Sequence, residues 1–244
     1  MKNLLRNVLQ KNRQNFRTVV DFNPAKDKLF PFNFTETNTE IRSSDIADTA
    51  VFSQYVNFKL KSTESKYGIG GYAENRVLYK RSELFDTVPK VSALNGQQEE
   101  PESRSIHLGI DIWGPAGTKV YVPIGGTVHS FAYNDNFGDY GATIILQHQL
   151  DTIVFHTLYG HLSLADLTNM REGKYISRGE LLAHFGEPTE NGNWPPHLHF
   201  QIIEDMRVKR GDYPGVCTKS ESEKYLQNCP DPDFMLNMMQ YTSL

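Results

Sequence analysis

The sequence predicts a mainly β protein with an antiparallel sheet core, a mixed N-terminal region and a short helical C-terminal tail. Two observations point to this fold class: short runs rich in β-branched and aromatic residues recur over residues 105–204, and Gly, Asn, Asp or Pro separates each run from the next. Closely spaced short strands with such turn residues between them are typical of a sandwich or a partly rolled sheet. The predicted strands cover residues 118–124, 126–133, 142–148, 152–162, 180–186 and 197–203.

Residue composition divides the chain into three parts. Residues 1–100 form a mixed N-terminal region, residues 101–205 carry the β-rich runs, and residues 206–244 form a polar tail with several prolines. The polar stretch 95–103 contains a glycine and a proline and predicts a linker or an exposed loop. We expect the central part to be the functional domain and the N-terminal region to be an accessory or groove-shaping segment.

Three further elements are predicted outside the central part. Apolar residues at helical spacing, from Leu4 to Leu9, predict a short amphipathic helix at the N-terminus. Residues 51–60 alternate like a strand. In the tail, an Asp at the cap position and a Pro in the first turn predict a helix near residues 232–241.

Length and composition exclude several classes of protein. The chain has 244 residues, of which 39% are hydrophobic and 22% charged, as in an ordinary globular protein, so wholesale disorder is excluded. A net charge of −4 provides no electrostatic basis for binding nucleic acid or an anionic membrane surface. No run of residues approaches the roughly 18 consecutive apolar positions of a transmembrane helix.

The N-terminus and the two cysteines bear on the location of the protein. A secretory signal needs about 7–15 consecutive apolar residues, and charged residues interrupt every candidate near the start of the chain. We therefore expect a cytoplasmic protein in which Cys217 and Cys229 are reduced thiols, with a bridge that closes the tail as the alternative. If the sequence begins after a processed signal, we expect an exported or periplasmic protein instead.

Two histidines, His197 and His199, lie one residue apart in the predicted strand 197–203. Side chains at positions i and i+2 of a strand share a face, so both imidazoles point the same way. Such a pair can serve as a metal ligand and its catalytic neighbour, or it can be two polar residues on the solvent face of an amphipathic strand. The other histidines of the chain bear on this choice.

Further candidate ligands lie upstream of this pair. His107 and Asp111 are separated by three residues that include a glycine, and His161 lies in the segment LYGHLS. A catalytic zinc ion takes three protein ligands from His and Asp or Glu and keeps a fourth position for water. His107, Asp111 and one histidine of the His197/His199 pair would supply such a set. The remaining histidines would then act as a general base or stabilise an oxyanion.

Taken in order, these segments resemble a known family. HLGIDIWGPAGTKVYVPIGGTV, LYGHLS and PHLHFQI closely resemble the lysostaphin/LytM-type zinc endopeptidases, which share an H-x-x-x-D motif, a Y-x-H-L segment and an H-x-H motif in this order. The resemblance spans residues 105–204. It implies a compact antiparallel β-sheet core with the site in a groove between loops, and substrates that are short bridge or stem peptides of peptidoglycan.

The resemblance also implies roles for individual residues. His107, Asp111 and His199 match the zinc ligands, and His161 and His197 match the paired catalytic histidines that activate water and steady the oxyanion. All five positions are intact, which favours an active enzyme over a degenerate relative. Zinc is therefore the expected cofactor, and a peptide or a peptidoglycan fragment is the expected partner.

The chain departs from the family at one position. Some members have a tyrosine shortly before the first zinc-binding histidine, near the reacting carbonyl, whereas the residues here are PESRSI. Tyr72, Tyr79 or Arg104 is a candidate replacement. Arg76 and Arg81 are candidates for a bidentate ion pair with a substrate carboxylate. The alternative is that this N-terminal stretch is an ordinary turn and strand with solvated charges.

Three functions are consistent with these residues. The first is a zinc metalloendopeptidase that cuts a short peptide of the cell-wall type, which the intact site favours. The second is a LytM-like, metal-bearing binding or regulatory module without turnover. The third is a zinc-dependent hydrolase of a non-peptide amide in the cytoplasm. Metal analysis and product identification on defined muropeptides would separate them.

Overall fold

The computed structural model describes residues 4–86 and 102–242, and most of the predicted loop over 95–103 lies outside these residues. Short 3₁₀ turns connect several of the helices and strands in this part of the chain. The helices and strands follow one another in the order α1 (Leu4–Lys11), β1 (Leu29–Phe32), α2 (Ser43–Ala47), α3 (Thr49–Ser62), β2 (Tyr67–Gly70), β3 (Ile106–His107), β4 (Ile110–Trp113), β5 (Lys119–Tyr121), β6 (Gly126–Asn134), β7 (Gly141–Leu150), β8 (Ile153–Leu162), β9 (Tyr175–Ile176), β10 (Leu181–His184), β11 (His197–Ile203), β12 (Val216–Cys217), α4 (Ser222–Asn228) and α5 (Asp233–Leu236).

Eight of the strands form one sheet, in the order β1-β2-β4-β11-β8-β7-β6-β9. All neighbours in this sheet are antiparallel except β1 and β2, which are parallel. Two small antiparallel pairs, β5 with β10 and β3 with β12, accompany it. Each predicted strand of the central part is present, and β11 has the predicted bounds. The predicted mainly β fold, with an antiparallel core and a short helical tail, is confirmed.

The N-terminal region belongs to the same sheet and the same core. β2 pairs with β4 in a register that places Gly70 opposite Asp111, and β1 extends the sheet beyond β2. Helix α1 is present as predicted, and its Leu5 and Leu9 are buried in the main hydrophobic core together with Ile110 of β4. The N-terminal region therefore supplies one edge of the main sheet and part of the core that supports it.

Residues 51–60 lie in helix α3, so the predicted strand is wrong. The side chain of Asp48 accepts two backbone hydrogen bonds from the first turn and caps the helix. Phe52, Val56 and Leu60 recur every four residues and are buried together on one helix face. The sequence alternates over this stretch because exposed apolar side chains fall between the buried ones.

The C-terminal tail is helical in short pieces. The helix predicted near residues 232–241 is shorter than expected, because Asn237 adopts a left-handed φ of 54° and ends α5 after Leu236. A 3₁₀ turn over Met239–Tyr241 follows. No helix in the described part of the chain is both long and apolar enough to cross a bilayer.

Both cysteines are buried in or beside this tail. Cys217 lies in β12 and Cys229 follows α4, and the two are not bonded to each other. Burial raises the pKa of each thiol to about 12. Both are therefore protonated at neutral pH and lack the thiolate form on which cysteine reactivity depends.

Candidate active site

Strand pairing around β11 brings the candidate site residues together. In the antiparallel pairing of β11 with β4, His199 lies opposite Asp111 and His197 lies opposite Trp113. Leu198, between the two histidines, points to the other face of the sheet and is buried in the main core. The alternation of a strand therefore places both imidazoles on one face, next to the residues of β4.

Three side chains, those of His107, Asp111 and His199, converge at this point. His107 Nε2 is 3.0 Å from His199 Nδ1 and 3.3 Å from Asp111 Oδ1, and His199 Nδ1 is 3.1 Å from Asp111 Oδ1. All three residues are buried. Among residues 4–86 and 102–242, no other three His, Cys, Asp or Glu side chains bring their ligand atoms within metal-binding reach of one another.

The remaining nitrogen of each histidine is hydrogen-bonded, which determines where its proton lies. His107 Nδ1 is 3.1 Å from the backbone oxygen of Gly71, which can only accept, so Nδ1 donates and Nε2 keeps its lone pair. His199 Nε2 is 2.9 Å from Gln201 Oε1. The amide nitrogen of Gln201 donates to the backbone oxygen of Pro214, so Gln201 presents its oxygen to His199. In neutral His199, Nε2 therefore donates and Nδ1 keeps its lone pair.

This arrangement fits a metal cation. Two imidazole lone pairs and one carboxylate oxygen face each other, and they repel unless a positive charge lies between them. Zinc bonds to His nitrogen and carboxylate oxygen are about 2.0–2.1 Å long, so the edges of its coordination tetrahedron are roughly 3.3 Å. The measured separations of 3.0, 3.1 and 3.3 Å are close to this value. His107, Asp111 and His199 are therefore the residues that would hold a zinc ion.

Burial and neighbouring charges determine the ionisation of this group. Burial, together with the guanidinium of Arg76, lowers the pKa of His107 to about 4, so this imidazole is neutral at pH 7. Burial alone would raise the pKa of Asp111, but His107 and Arg76 lower it, and the net pKa is well below the ordinary value. A neutral imidazole beside a carboxylate is the protonation state that metal binding requires.

A second pair of histidines, His161 and His197, lies beside the first group. Their ring centroids are 4.0 Å apart. His161 Nδ1 donates to the backbone oxygen of Asn191 at 2.8 Å, and His197 Nδ1 donates to that of Pro195 at 2.8 Å. Each Nε2 therefore carries a lone pair, and no described residue forms a hydrogen bond with either one. Both rings line the same pocket as Asp111.

The surroundings of this pair keep it neutral and fixed in orientation. Burial lowers the pKa of His197 to about 4, and burial together with the His197 ring lowers the pKa of His161 well below its ordinary value. Trp113 stacks on His197 with ring centroids 4.0 Å apart. The backbone of His161 has a φ of 62°, a left-handed conformation that is uncommon outside glycine and recurs at functional sites.

Asp111, His199 and both histidines of the second pair line one pocket of about 190 Å³, whereas His107 lies outside its lining. Of the five residues predicted to bind substrate, Tyr79 and Arg104 line this pocket, whereas Tyr72, Arg76 and Arg81 do not. The Tyr79 ring centroid is 6.4 Å from that of His107. The wall of the pocket is rich in aromatic side chains, namely Tyr79, Phe85, Trp113, Tyr140, Trp194 and Tyr213.

Tyr72 and Arg81 have partners elsewhere in the protein. The hydroxyl of Tyr72 donates to the backbone oxygen of Cys229 at 2.5 Å. The Arg81 guanidinium carbon lies 4.8 Å from the ring centroid of Phe137 and 4.5 Å from that of Trp194. Tyr72 thus anchors the C-terminal tail, and Arg81 packs behind the aromatic wall of the pocket.

Arg76 lies inside the protein, not in the pocket. The residue is 2% exposed, and its guanidinium forms ion pairs with Glu74 and Asp111. A substrate carboxylate therefore cannot reach it, contrary to the role predicted from the sequence. Its contact with Asp111 places it next to the candidate metal site instead.

Two residues of the site, Gln201 and Tyr140, were not predicted. Gln201 follows His199 by two positions in β11, so the strand alternation that places His197 beside His199 could also have identified Gln201. The hydroxyl of Tyr140 is 3.4 Å from His199 Nε2, and burial raises the pKa of this hydroxyl well above its ordinary value, so it stays protonated. Tyr140 comes from the turn before β7, and no sequence pattern points to it.

A family model matches the part of the chain that carries this site. The model of Peptidase family M23 matches residues 105–211, which include all five candidate metal-binding and catalytic residues. No curated protein matches the chain.

Several solved structures are similar to parts of the chain. The catalytic domain of the antimicrobial peptidase lysostaphin from Staphylococcus simulans is 20% identical, with 70% of this chain and 97% of that domain covered and a TM-score of 0.38. A longer lysostaphin structure from the same organism is 22% identical, with 65% and 52% covered and a TM-score of 0.38. A zinc-containing peptidase from Vibrio cholerae is 22% identical, with 51% and 35% covered and a TM-score of 0.32. The chain thus spans 52% of the longer lysostaphin and 35% of the Vibrio protein.

Proposed function

Because residues 105–211 match the model of Peptidase family M23, we propose that this chain is a zinc-dependent endopeptidase. Its substrates would be short peptides of the peptidoglycan bridge or stem type. One observation carries the proposal: three converging metal-binding atoms lie beside two further imidazoles with free Nε2 atoms, and these two imidazoles line the same pocket as Asp111 and His199. An enzyme needs both parts, a metal site and a proton acceptor next to it, whereas a metal-binding module needs only the first.

The metal site would be held by His107 Nε2, Asp111 Oδ1 and His199 Nδ1. When bound, zinc supplies a Lewis acid that polarises a scissile carbonyl and lowers the pKa of a water molecule towards neutrality. The contribution of the protein is to present these three atoms unprotonated and at fixed separations. Hydrogen bonds to the other nitrogen of each histidine fix its ring orientation, which is how metal-binding histidines are commonly positioned.

His161 and His197 would move the proton in the reaction. Both present a lone pair at Nε2, and burial keeps both neutral at pH 7. Either one can therefore accept the proton of an attacking water and return it to the leaving amine. Once protonated, the same Nε2–H can donate a hydrogen bond to the developing oxyanion. Two positive charges on rings 4.0 Å apart would repel, so the pair carries one proton at a time.

The substrate class rests on two features. The pocket has a volume of only about 190 Å³ and is rich in aromatic rings, which favours a short peptide with small side chains over a bulky one. The three sequence segments that form the site resemble the lysostaphin/LytM-type enzymes, whose usual substrates are small bridge or stem peptides that often contain glycine or D-residues. Peptidoglycan fragments are short peptides with small side chains, and they often contain glycine or D-residues.

Metal analysis followed by incubation with defined muropeptides tests the proposal. We expect one zinc ion per wild-type chain and cleavage of at least one muropeptide. His199→Ala should lose the zinc and keep the fold, whereas His161→Ala should keep the zinc and lose turnover. His184→Ala is a matched control, because this histidine pairs with Asp166 and does not line the pocket, so zinc and turnover should both remain.

Three results would count against all or part of the proposal. Full zinc occupancy in His199→Ala would contradict the assignment of the metal site. Stoichiometric zinc in the wild-type protein without cleavage of any muropeptide would support a metal-bearing binding module instead. Cleavage confined to non-peptide amides would keep the metal chemistry and replace the substrate class.

A further inference from the structure

We call residues 105–211, which match the family model, the M23 region. Residues outside the M23 region contact the candidate metal site. Gly71 and Arg76, both in the N-terminal region, contact two of the three residues that would hold the metal. The backbone oxygen of Gly71 accepts the hydrogen bond from His107 Nδ1 at 3.1 Å. The guanidinium of Arg76 forms an ion pair through Nη1 with Oδ2 of Asp111. Pairing of β2 with β4 brings this segment to the site.

Arg76 is held rigidly where it meets Asp111. Its side chain is fully buried, and its Nε donates to Glu74 Oε2 at 2.6 Å. Its backbone N–H donates to the oxygen of Ser105 at 2.9 Å, directly before β3. A Cβ at Gly70 would lie 2.6 Å from Arg76 Nη2, so the guanidinium occupies space that only a glycine leaves free. A planar guanidinium held at two nitrogens has little freedom to move.

The two oxygens of Asp111 consequently have different partners. Oδ1 faces His107 Nε2 and His199 Nδ1, and Oδ2 faces Arg76. An aspartate with one oxygen committed to an arginine can offer only the other to a metal ion. Bidentate binding by Asp111 would require the ion pair with Arg76 to break.

We propose that Arg76 is a positioning residue that makes Asp111 a one-oxygen metal ligand, so that the N-terminal region completes the metal site of the M23 region. The inference rests on the proposed zinc site. The sequence suggested that Arg76 binds a substrate carboxylate, and the positioning role takes the place of that suggestion. A purely structural ion pair would affect the stability of the protein and leave metal coordination unchanged, so the two roles can be separated by experiment.

The test uses the full chain and the variant Arg76→Lys, which keeps the positive charge. Lysine has a single ammonium in place of a planar fork, so it cannot hold Glu74 and Asp111 at once in the observed geometry. We expect zinc affinity, measured by competition with a chromophoric chelator, to fall 10- to 100-fold, the usual effect of removing a group that orients a metal ligand. With cobalt(II) in place of zinc, the visible absorption should change, because it reports the number of coordinating atoms.

Two further variants make the test decisive. Arg13→Met is the control: Arg13 forms an ion pair with Asp233, and neither residue lines the pocket or belongs to the candidate metal group, so its loss should leave zinc affinity and the cobalt spectrum unchanged. If the metal-free Arg76→Lys protein does not fold, Glu74→Gln takes its place. This variant removes one charged anchor of Arg76 and leaves the ion pair with Asp111 in place, and we expect a smaller loss of zinc affinity in the same direction.

The outcomes separate this inference from the proposed function. The positioning role would be overturned if Arg76→Lys kept both the wild-type zinc affinity and the wild-type cobalt spectrum. If Glu74→Gln is used because Arg76→Lys does not fold, unchanged zinc affinity in Glu74→Gln would overturn it. A wild-type chain that binds no zinc would instead contradict the proposed function itself. Weaker zinc binding in the Arg76 or Glu74 variant, with Arg13→Met unchanged, would support the inference.

Discussion

Replacing Gln201 with leucine is expected to weaken zinc binding, although Gln201 touches none of the three metal-binding atoms. The side chain is fully buried. Its Oε1 accepts from His199 Nε2 at 2.9 Å, and its Nε2 donates to the backbone oxygen of Pro214 at 3.1 Å and to Cys229 Sγ at 3.3 Å. Leucine has a similar size and neither a donor nor an acceptor. His199 then loses the partner that keeps its proton on Nε2 and its lone pair on Nδ1.

The magnitude follows from the groups that lose their partners. The buried N–H of His199 loses its 2.9 Å hydrogen bond and keeps only the longer 3.4 Å contact with the Tyr140 hydroxyl, which costs about 1–3 kcal/mol in the free energy of unfolding of the metal-free protein. The carbonyl of Pro214 is half-buried and adds a smaller cost, because water can reach it. Loss of the group that orients a metal-binding histidine typically reduces metal affinity 10- to 100-fold.

Chelator competition for zinc and urea unfolding of the metal-free protein measure the two effects separately. Gln147→Leu is the control, since Gln147 is exposed on β7, which β8 separates from β11 in the sheet. Its free energy of unfolding should stay within about 0.5 kcal/mol of the wild type, with unchanged zinc affinity. A Gln201→Leu protein that is less stable yet binds zinc like the wild type would refute the reasoning, because the orientation of His199 would then not depend on Gln201.

Three further predictions concern the histidines. His161→Ala and His197→Ala should keep zinc and lose turnover by roughly 10²–10⁴-fold, the range for general acid–base catalysis, and unchanged muropeptide hydrolysis in both would remove them from the mechanism. His199→Ala should lose stoichiometric zinc in metal analysis while its circular dichroism stays that of the folded protein. Burial lowers the pKa of His148 to about 4, whereas an unfolded histidine titrates near 6.5. The unfolded chain therefore takes up this proton first as the pH falls, and the folded state loses stability between those two values. In urea unfolding, His148→Gln should reduce the loss of stability between about pH 7 and pH 5 by about 2 kcal/mol, and an unreduced loss would contradict this account.

The candidate metal and catalytic residues could be predicted because each lies in a short segment with a spacing of its own. His197 and His199 share a face through the period of a strand, and β11 has the predicted bounds. His107 and Asp111 are four positions apart and join two consecutive short strands. Asp111 and His199 are 88 positions apart in the sequence, and the pairing of β11 with β4 brings them together. The resemblance to the family, which rests on the order of the motifs, implied that these two residues meet.

Other features could not be predicted because no local spacing marks them. Arg76 and Asp111 are 35 positions apart, and their ion pair depends on β2 lying next to β4. The stretch 51–60 resembles a strand in sequence because the exposed Phe58 lies midway between the buried Val56 and Leu60 and imitates the two-residue period of a strand. The buried residues of α3 face a tertiary partner, and burial against that partner decides between helix and strand.

The metal-binding half of the candidate site depends in part on residues outside the M23 region. The partners that orient the metal-binding residues include Gly71, Arg76 and Pro214, all outside the M23 region, with Pro214 acting through Gln201. The partners of His161 and His197 are backbone oxygens inside that region. Substitutions at Arg76 or Pro214 are therefore expected to affect metal binding directly, because their partners are Asp111 and the Gln201 that orients His199. Under the proposed function, the flanking parts would therefore contribute to how tightly the metal is held, while all five residues proposed to bind the metal or transfer protons lie within residues 105–211.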